Sequence, residues 1–147
     1  MWGTEVSTEI ATPIETVYQY LADFRRHKEW SKGVAEVEQM TDGEVRVGTE
    51  FKASETVPMK FTSFARITAL EPPKVIAWDA WDEDGDVRSQ WSFHLEPSDG
   101  GTRVTQRCAF WPQKLFGTLM LYVMRRWQMA GENRASLARL KAILEGA

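Results

Sequence analysis

Few side chains in this sequence could do chemistry, and Glu55 comes first among them. The stretch 45–57 alternates, and the parity that turns Val45, Val47, Thr49, Phe51, Ala53 and Val57 inward turns Glu55 inward too. A carboxylate on an apolar face loses hydration, which raises its pKa toward general acid or base use. The competing reading puts Glu55 at the sheet's rim, in reach of water. Gln106 has inward parity in the last alternating segment, beside Val104, Cys108 and Phe110, and could orient a molecule for such an acid. Thr49 and Ser63 share the inner face; they could hydrogen-bond a ligand, one another or ordered water.

Other chemistries find less support. His27 and His94 are the only histidines, and on this reading they lie on unrelated surface elements without a second ligand at metal spacing. The run Asp82-Glu83-Asp84-Gly85-Asp86 fails the calcium-loop pattern, because its glycine comes too early and Phe93 stands where the closing glutamate belongs. It reads as a charged hairpin tip. Cys108 has no histidine at a plausible neighbouring position, so a small buried side chain explains it better than a nucleophile does. His94 faces outward by parity, which leaves no Ser-His-Asp arrangement. Gly100-Gly101 lacks the strand-loop-helix context of a phosphate site. Glu55 and Gln106 remain as catalytic candidates, with no metal and no cofactor expected.

What must position these residues is a sheet. Alternating segments near 34–41, 45–57, 60–70, 75–83, 87–96 and 102–111 are separated by Asp42-Gly43, Pro58, Pro72-Pro73, Asp84-Gly85 and Gly100-Gly101. Turn signals at that spacing predict an antiparallel meander. Its inner face takes Phe61, Ser63, Ala65 and Ile67, then Ile76, Trp78 and Ala80, then Trp91, Phe93 and Leu95. Ahead of it, 4–10 reads as a half-buried strand. Thr12-Pro13-Ile14-Glu15 reads as a capping box starting a helix to about Ala22. A second short helix over Asp23–Trp30 turns Phe24 and Trp30 inward, and its basic run Arg25-Arg26-His27-Lys28 reads as a solvated face.

The last quarter, Gln113 to Glu145, is dense in helix formers. A continuous helix there would span about 50 Å at 1.5 Å per residue. Phe116, Leu119, Met120, Val123, Trp127, Ala130, Leu137, Leu140 and Leu144 trace one apolar stripe, expected to lie against the sheet. Within Leu115–Met124, Leu121 and Tyr122 point away from that stripe. They could meet a dimer partner, a membrane surface or a lid contact, or pack under the short helices.

Composition bounds the rest. The chain has 147 residues, enough to bury the core of one domain spanning 1–147. Seven Trp and seven Phe offer more ring surface than such a core needs, which points to an apolar wall. A net charge of -3 gives no attraction to nucleic acid. No stretch is long and apolar enough to span a bilayer. One cysteine and an N-terminus without signal-peptide character lead to an expected cytoplasmic location.

Ordered fragments run nearly the length of the chain: Ile10-Ala11-Thr12-Pro13 with Val17, Leu21-Ala22-Asp23-Phe24, Trp30, Gly48-Thr49-Glu50-Phe51, and Leu70-Glu71-Pro72-Pro73. Trp91-Ser92-Phe93-His94-Leu95-Glu96-Pro97, Gly100-Gly101-Thr102-Arg103-Val104 and Leu137-Ala138-Arg139-Leu140-Lys141 follow. In this order and spacing they resemble the helix-grip superfamily, which includes lipid-transfer START domains, the birch-pollen-allergen type and polyketide cyclase/dehydrase-like proteins. The resemblance implies an α+β fold in which a curved antiparallel sheet of about seven strands grips a long C-terminal helix, with a ligand cavity between them. It carries over no catalytic signature.

The expected partner is therefore a hydrophobic small molecule, polyketide-, lipid- or sterol-like, held by a carrier or sensor. The alternative is a polyketide cyclase or dehydratase using Glu55 as acid or base. The residues expected to line the cavity are Phe24, Trp30, Phe51, Ser63, Trp78, Trp91, Phe93, Cys108, Phe110, Met120, Val123, Met124 and Trp127.

Overall fold

A computed structural model describes residues 2–56, 59–125 and 127–146, and the side chains of all of these except Trp2, Met120, Leu121 and Met124. Seven antiparallel strands form one sheet in the order β1-β7-β6-β5-β4-β3-β2. The strands are β1 (Trp2–Ile10), β2 (Val34–Gln39), β3 (Glu50–Glu55), β4 (Phe61–Glu71), β5 (Val75–Asp82), β6 (Val87–Ser98) and β7 (Gly101–Pro112). From β2 to β7 each strand pairs with the next in the chain, and β1 closes onto β7. This is the expected meander.

Parity holds where the strands are long. Ile76, Trp78, Phe93, Leu95, Val104, Gln106, Cys108 and Phe110 are all buried. On the opposite face Arg103 and Arg107 reach across to Glu9 and Glu5 of β1, at 3.5 and 2.7 Å. The expected strand 45–57 is shorter than its pattern. Residues 45–49 form a turn in which Gly48 has φ +95°, a conformation that frees Val47 into solvent. Thr49 closes that turn by accepting the Arg46 amide on its hydroxyl at 2.9 Å. Val57 and Pro58 lie outside the described residues.

Helical pieces stand ahead of β2 and at the end of the chain. Helix α1 (Ile14–Ala22) buries Val17, Tyr18, Tyr20 and Leu21, and a 3₁₀ turn over Phe24–Arg26 leads into the short α2 (His27–Trp30). Thr12 does not cap α1. Its hydroxyl donates instead to the Leu144 carbonyl at 3.1 Å, while Thr102 donates to the Thr12 carbonyl at 2.7 Å. The Ala11 amide donates to Glu145 at 2.8 Å, and Lys141 reaches the Glu9 carbonyl at 2.6 Å. The bond to Leu144 satisfies a carbonyl that the end of the terminal helix leaves orphaned, and with those of Glu145 and Lys141 it ties that end to the β1–α1 corner.

The expected continuous terminal helix is broken. It comprises α3 (Leu115–Leu119), a π-helical segment (Met120–Arg125), a turn at Trp127–Gln128 and α4 (Met129–Gly146). The β5–β6 tip pins the first turn. The amide of Gln113 donates to the Asp86 carbonyl at 2.7 Å, Lys114 Nζ donates to the Asp84 carbonyl, and any side chain at Gly117 would collide with the Asp86 carbonyl oxygen. A π segment carries extra residues per turn, each worth about 100° of helical phase. The stripe is therefore split. Leu137 and Leu140 are buried as expected, whereas Phe116, Leu119, Val123 and Trp127 are exposed.

Candidate functional site

The inner face of the sheet does not close onto the helices everywhere. Between β3–β7, α2, the π segment and the start of α4 lies a cavity of about 350 Å³. A more open hollow lined by Asp79, Arg88, Gln90 and Trp111 lies on the other side of the sheet. It is edged by charged side chains without a ring wall, so the inner cavity is the better ligand site.

The wall at its α2 end is made of rings. Phe24 stacks on Phe51 at 4.9 Å and meets Trp78 edge-on at 5.1 Å. Trp78 lies parallel to Trp91 at 6.2 Å, and Trp91 meets Phe110 edge-on at 5.6 Å. His27 belongs to this cluster, 4.4 Å from Phe24 and 4.9 Å from Trp30. That corrects the expectation for His27 alone, since Arg25, Arg26 and Lys28 form the solvated face expected of the run. The 3₁₀ turn over Phe24–Arg26 has three residues per turn, which brings residue 27 onto the side of residue 24, and residue 30 is its i+3 neighbour in α2. Burial pushes His27 down to about 4, so the ring is neutral at physiological pH. Its Nε2–H donates to the Leu21 carbonyl at 2.9 Å, since a carbonyl oxygen can only accept.

Two buried polar atoms on this wall have no partner among the described residues. They are the Gln106 carbonyl oxygen and the Trp30 indole N–H. Gln106 sits opposite Phe93 in the β6–β7 register, and the Trp30 ring is 5.4 Å from Phe93, so both flank the same ring. Leaving such groups unpaired costs about 1–3 kcal/mol each unless something arrives to pair them.

The other end is charged. Glu55 lines the cavity from β3, and Ser63 of the neighbouring β4 hydrogen-bonds its carboxyl. Surface is left to Glu55 where it borders the hollow, but the protein around it desolvates the group and raises its pKa, more than Ser63 and the distant Arg125 charge lower it. Arg125 is buried and forms an ion pair with Glu132 of α4. It also donates to Gln128 at 3.2 Å and lies 4.0 Å from the Met129 sulfur. Asn133 donates to the Cys108 sulfur at 3.5 Å, and burial pushes that thiol up to about 11, so it is no thiolate at neutral pH.

Of the residues expected at the site, Glu55, Gln106, Phe24, Trp30, Phe51, Ser63, Trp78, Trp91 and Phe110 line the cavity together. Phe93 and Cys108 are buried behind the wall instead. Val123 and Trp127 face outward, at 67% and 79% exposure, because the π segment turns the stripe away. The Met120 and Met124 side chains lie outside those described, as does Leu121 of the expected contact patch. Tyr122, the other half of that patch, packs against the buried cluster of Cys108, Phe110 and Met129.

Sequence reasoning missed His27, Arg125, Glu132, Asn133 and Ser136. Asn133 and Ser136 carry a readable signal, for they fall on the stripe of α4 with Met129, Leu137 and Leu140. A polar residue on an apolar stripe marks a place where the stripe faces something other than core. The carboxylates of Asp82, Asp84 and Asp86 gather within 4.8 Å of one another at the cavity's edge, with Asp82 accepting the Val87 amide at 2.8 Å. No helix among the described residues is long and apolar enough to cross a membrane.

No curated protein matches the sequence. Solved structures match the fold over nearly the whole chain. Ara h 8.0201 superposes with a TM-score of 0.76 at 12% identity, covering 99% of each chain. The di-domain ARO/CYC StfQ of the steffimycin biosynthetic pathway gives 0.76 at 17% identity, over 98% of this chain and 51% of that one. TTHA0849 from Thermus thermophilus gives 0.74 at 18% identity, over 97% of each. At such identities these likenesses show a shared helix-grip fold. A family model described as polyketide cyclase / dehydrase and lipid transport matches residues 1–145, and the chain belongs to that family.

Proposed function

We propose that the protein binds a hydrophobic, ring-bearing small molecule in the inner cavity, as a carrier or sensor. One observation carries this reading: a ring-lined hollow whose wall holds an acceptor on Gln106 and a donor on Trp30, both buried and both unpaired. A ligand hydroxyl can serve both, because it donates one proton and accepts on its lone pairs. The family, which includes lipid transport, and the apolar wall support the same reading. Chemistry finds little to work with. The His27 imidazole is neutral with one nitrogen committed to Leu21, and Cys108 is held as a thiol.

Calorimetric titration with 2-naphthol, set against naphthalene, tests the reading. The wild type should bind both and prefer the naphthol. Gln106→Leu should cost the naphthol about tenfold in affinity, the worth of one buried hydrogen bond. The same change should leave the melting temperature of the empty protein unchanged or higher, since it removes an unpaired buried acceptor. Absence of binding by the wild type, with no small molecule retained in native mass spectrometry, overturns the proposal.

A second reading is favoured by the raised pKa of Glu55. A carboxyl whose pKa is raised by burial at the edge of an apolar cavity is what a cyclase or dehydratase of this family could use as acid or base. On that reading Glu55→Gln abolishes turnover of a polyketide-like substrate at preserved affinity.

A further inference from the structure

The charged end of the cavity narrows the class of ligand. Among the described lining residues, five carboxylates (Glu55, Asp82, Asp84, Asp86, Glu132) face three cations (Lys32, Lys60, Arg125). The interior pair Arg125–Glu132 neutralises itself, and Arg125 spends further donors on Gln128 and Met129. An anionic ligand would have to displace Glu132 to reach that guanidinium. Glu55 forms none of the ion pairs within 4.0 Å seen among the described residues; the Ser63 hydroxyl and the more distant Arg125 charge are what support its carboxylate. Rings stand nearby, and an aromatic face attracts a cation by its quadrupole. On the far wall, across β4, β5 and β6 in the sheet order, Gln106 offers a second acceptor without a donor. The Gln106 end, with the Trp30 N–H beside it, suits a group that both donates and accepts, whereas the Glu55 end asks for a donor with positive charge.

We infer that the cavity is built for a hydrophobic, ring-bearing amine, whose protonated nitrogen pairs with the Glu55 carboxylate while its rings lie against the aromatic wall. This rests on the cavity being a ligand site and adds the ligand's charge. Burying a carboxylate alone is costly, and an ammonium ion relieves that cost where a neutral ligand adds to it. Binding is then linked to protonation. The raised pKa of Glu55 means that acid neutralises the partner the amine needs, so amine affinity falls as pH drops through that value. Among the described residues the other titratable groups around the hollow are Lys32, Lys60, Arg125, Glu132, the three aspartates and the neutral His27. Comparison with Glu55→Gln subtracts whatever they contribute.

Paired calorimetric titrations test it on the whole protein with 2-(1-naphthyl)ethylamine and its neutral isostere 2-(1-naphthyl)ethanol at pH 8. The wild type should bind the amine at least about tenfold more tightly than the alcohol, the worth of one charge-assisted hydrogen bond. In Glu55→Gln that ratio should fall to near one, with folding checked by its thermal melt. On the wild type alone, with no variant needed, the ratio should shrink as pH is lowered toward 5. If the alcohol binds as well as the amine, or the preference survives Glu55→Gln, the inference is overturned while the cavity reading stands. If neither compound binds, the cavity reading falls and takes this one with it.

Discussion

The two halves of the C-terminal helical region have similar apolar spacing and opposite fates. In α4, Leu137 and Leu140 are buried to 2% and 0% exposure, and the helix end is held by Thr12, Ala11 and Lys141. In α3 and the π segment the same spacing leaves Leu115, Phe116, Leu119 and Val123 in solvent, while Gly117, Tyr122 and Arg125 turn inward. A periodic pattern says that a helix has an apolar face. Which way that face points is set by contacts elsewhere, here the Asp86 carbonyl against Gly117 and the ion pair of Arg125 with Glu132.

The largest effect expected from this contrast comes from cutting the packed half. Leu140→Ala removes a fully buried side chain from the core shared with Ile10, Val17 and Leu21, and should cost about 2–5 kcal/mol by transfer and cavity terms together. Urea unfolding with an unchanged slope measures it. A cost below about 1 kcal/mol would mean that α4 is held no better than α3, and the contrast would vanish.

Next in size is an acid effect at the ring wall between them. His27 has a folded pKa of about 4 against 6.5 for the exposed group, so the unfolded chain binds the extra proton between those values. Stability is therefore full above about pH 6.5 and is lost as pH falls toward 4, by about 3 kcal/mol over the window. Glu55, raised in the folded state, works in the opposite direction. The difference between wild type and His27→Gln isolates the histidine, and should narrow steadily between pH 6.5 and 4 in chemical unfolding. A difference constant with pH would place the histidine in water.

Much of this arrangement was legible. Period-two alternation reports local geometry, so it places Gln106, Trp78 and Ser63 on the inner face, where all three are buried. The family resemblance likewise rested on fragments spread along the chain. What escaped depends on contacts between distant residues. Thr12 carries the signature of a cap, yet the Leu144 carbonyl, 132 residues away, takes its hydroxyl. His27 sits in a basic run, and only its three-residue spacing from Phe24 and Trp30 shows that it leaves that run for the ring cluster. Val47 has strand parity but lies within the turn closed by Thr49. The phase slip of the π segment has no signature in the pattern of apolar residues, because that pattern fits an unbroken helix as well.

The smallest expected effect is the sharpest test of that slip. Leu119 and Val123 would be core residues in a continuous helix, and losing both apolar side chains would then cost several kcal/mol. With the π segment in place they stand at 52% and 67% exposure, where a surface substitution changes stability by no more than about 0.5 kcal/mol. Leu119→Ser with Val123→Ser should therefore leave the urea midpoint nearly where it was. Neither residue lines the cavity, so binding of 2-naphthol should persist as well. A shift as large as that of Leu140→Ala would mean that the stripe faces the sheet after all. Tyr122 and Arg125 would then have to turn outward, and the ion pair that isolates Glu55 in the cavity would be lost with them.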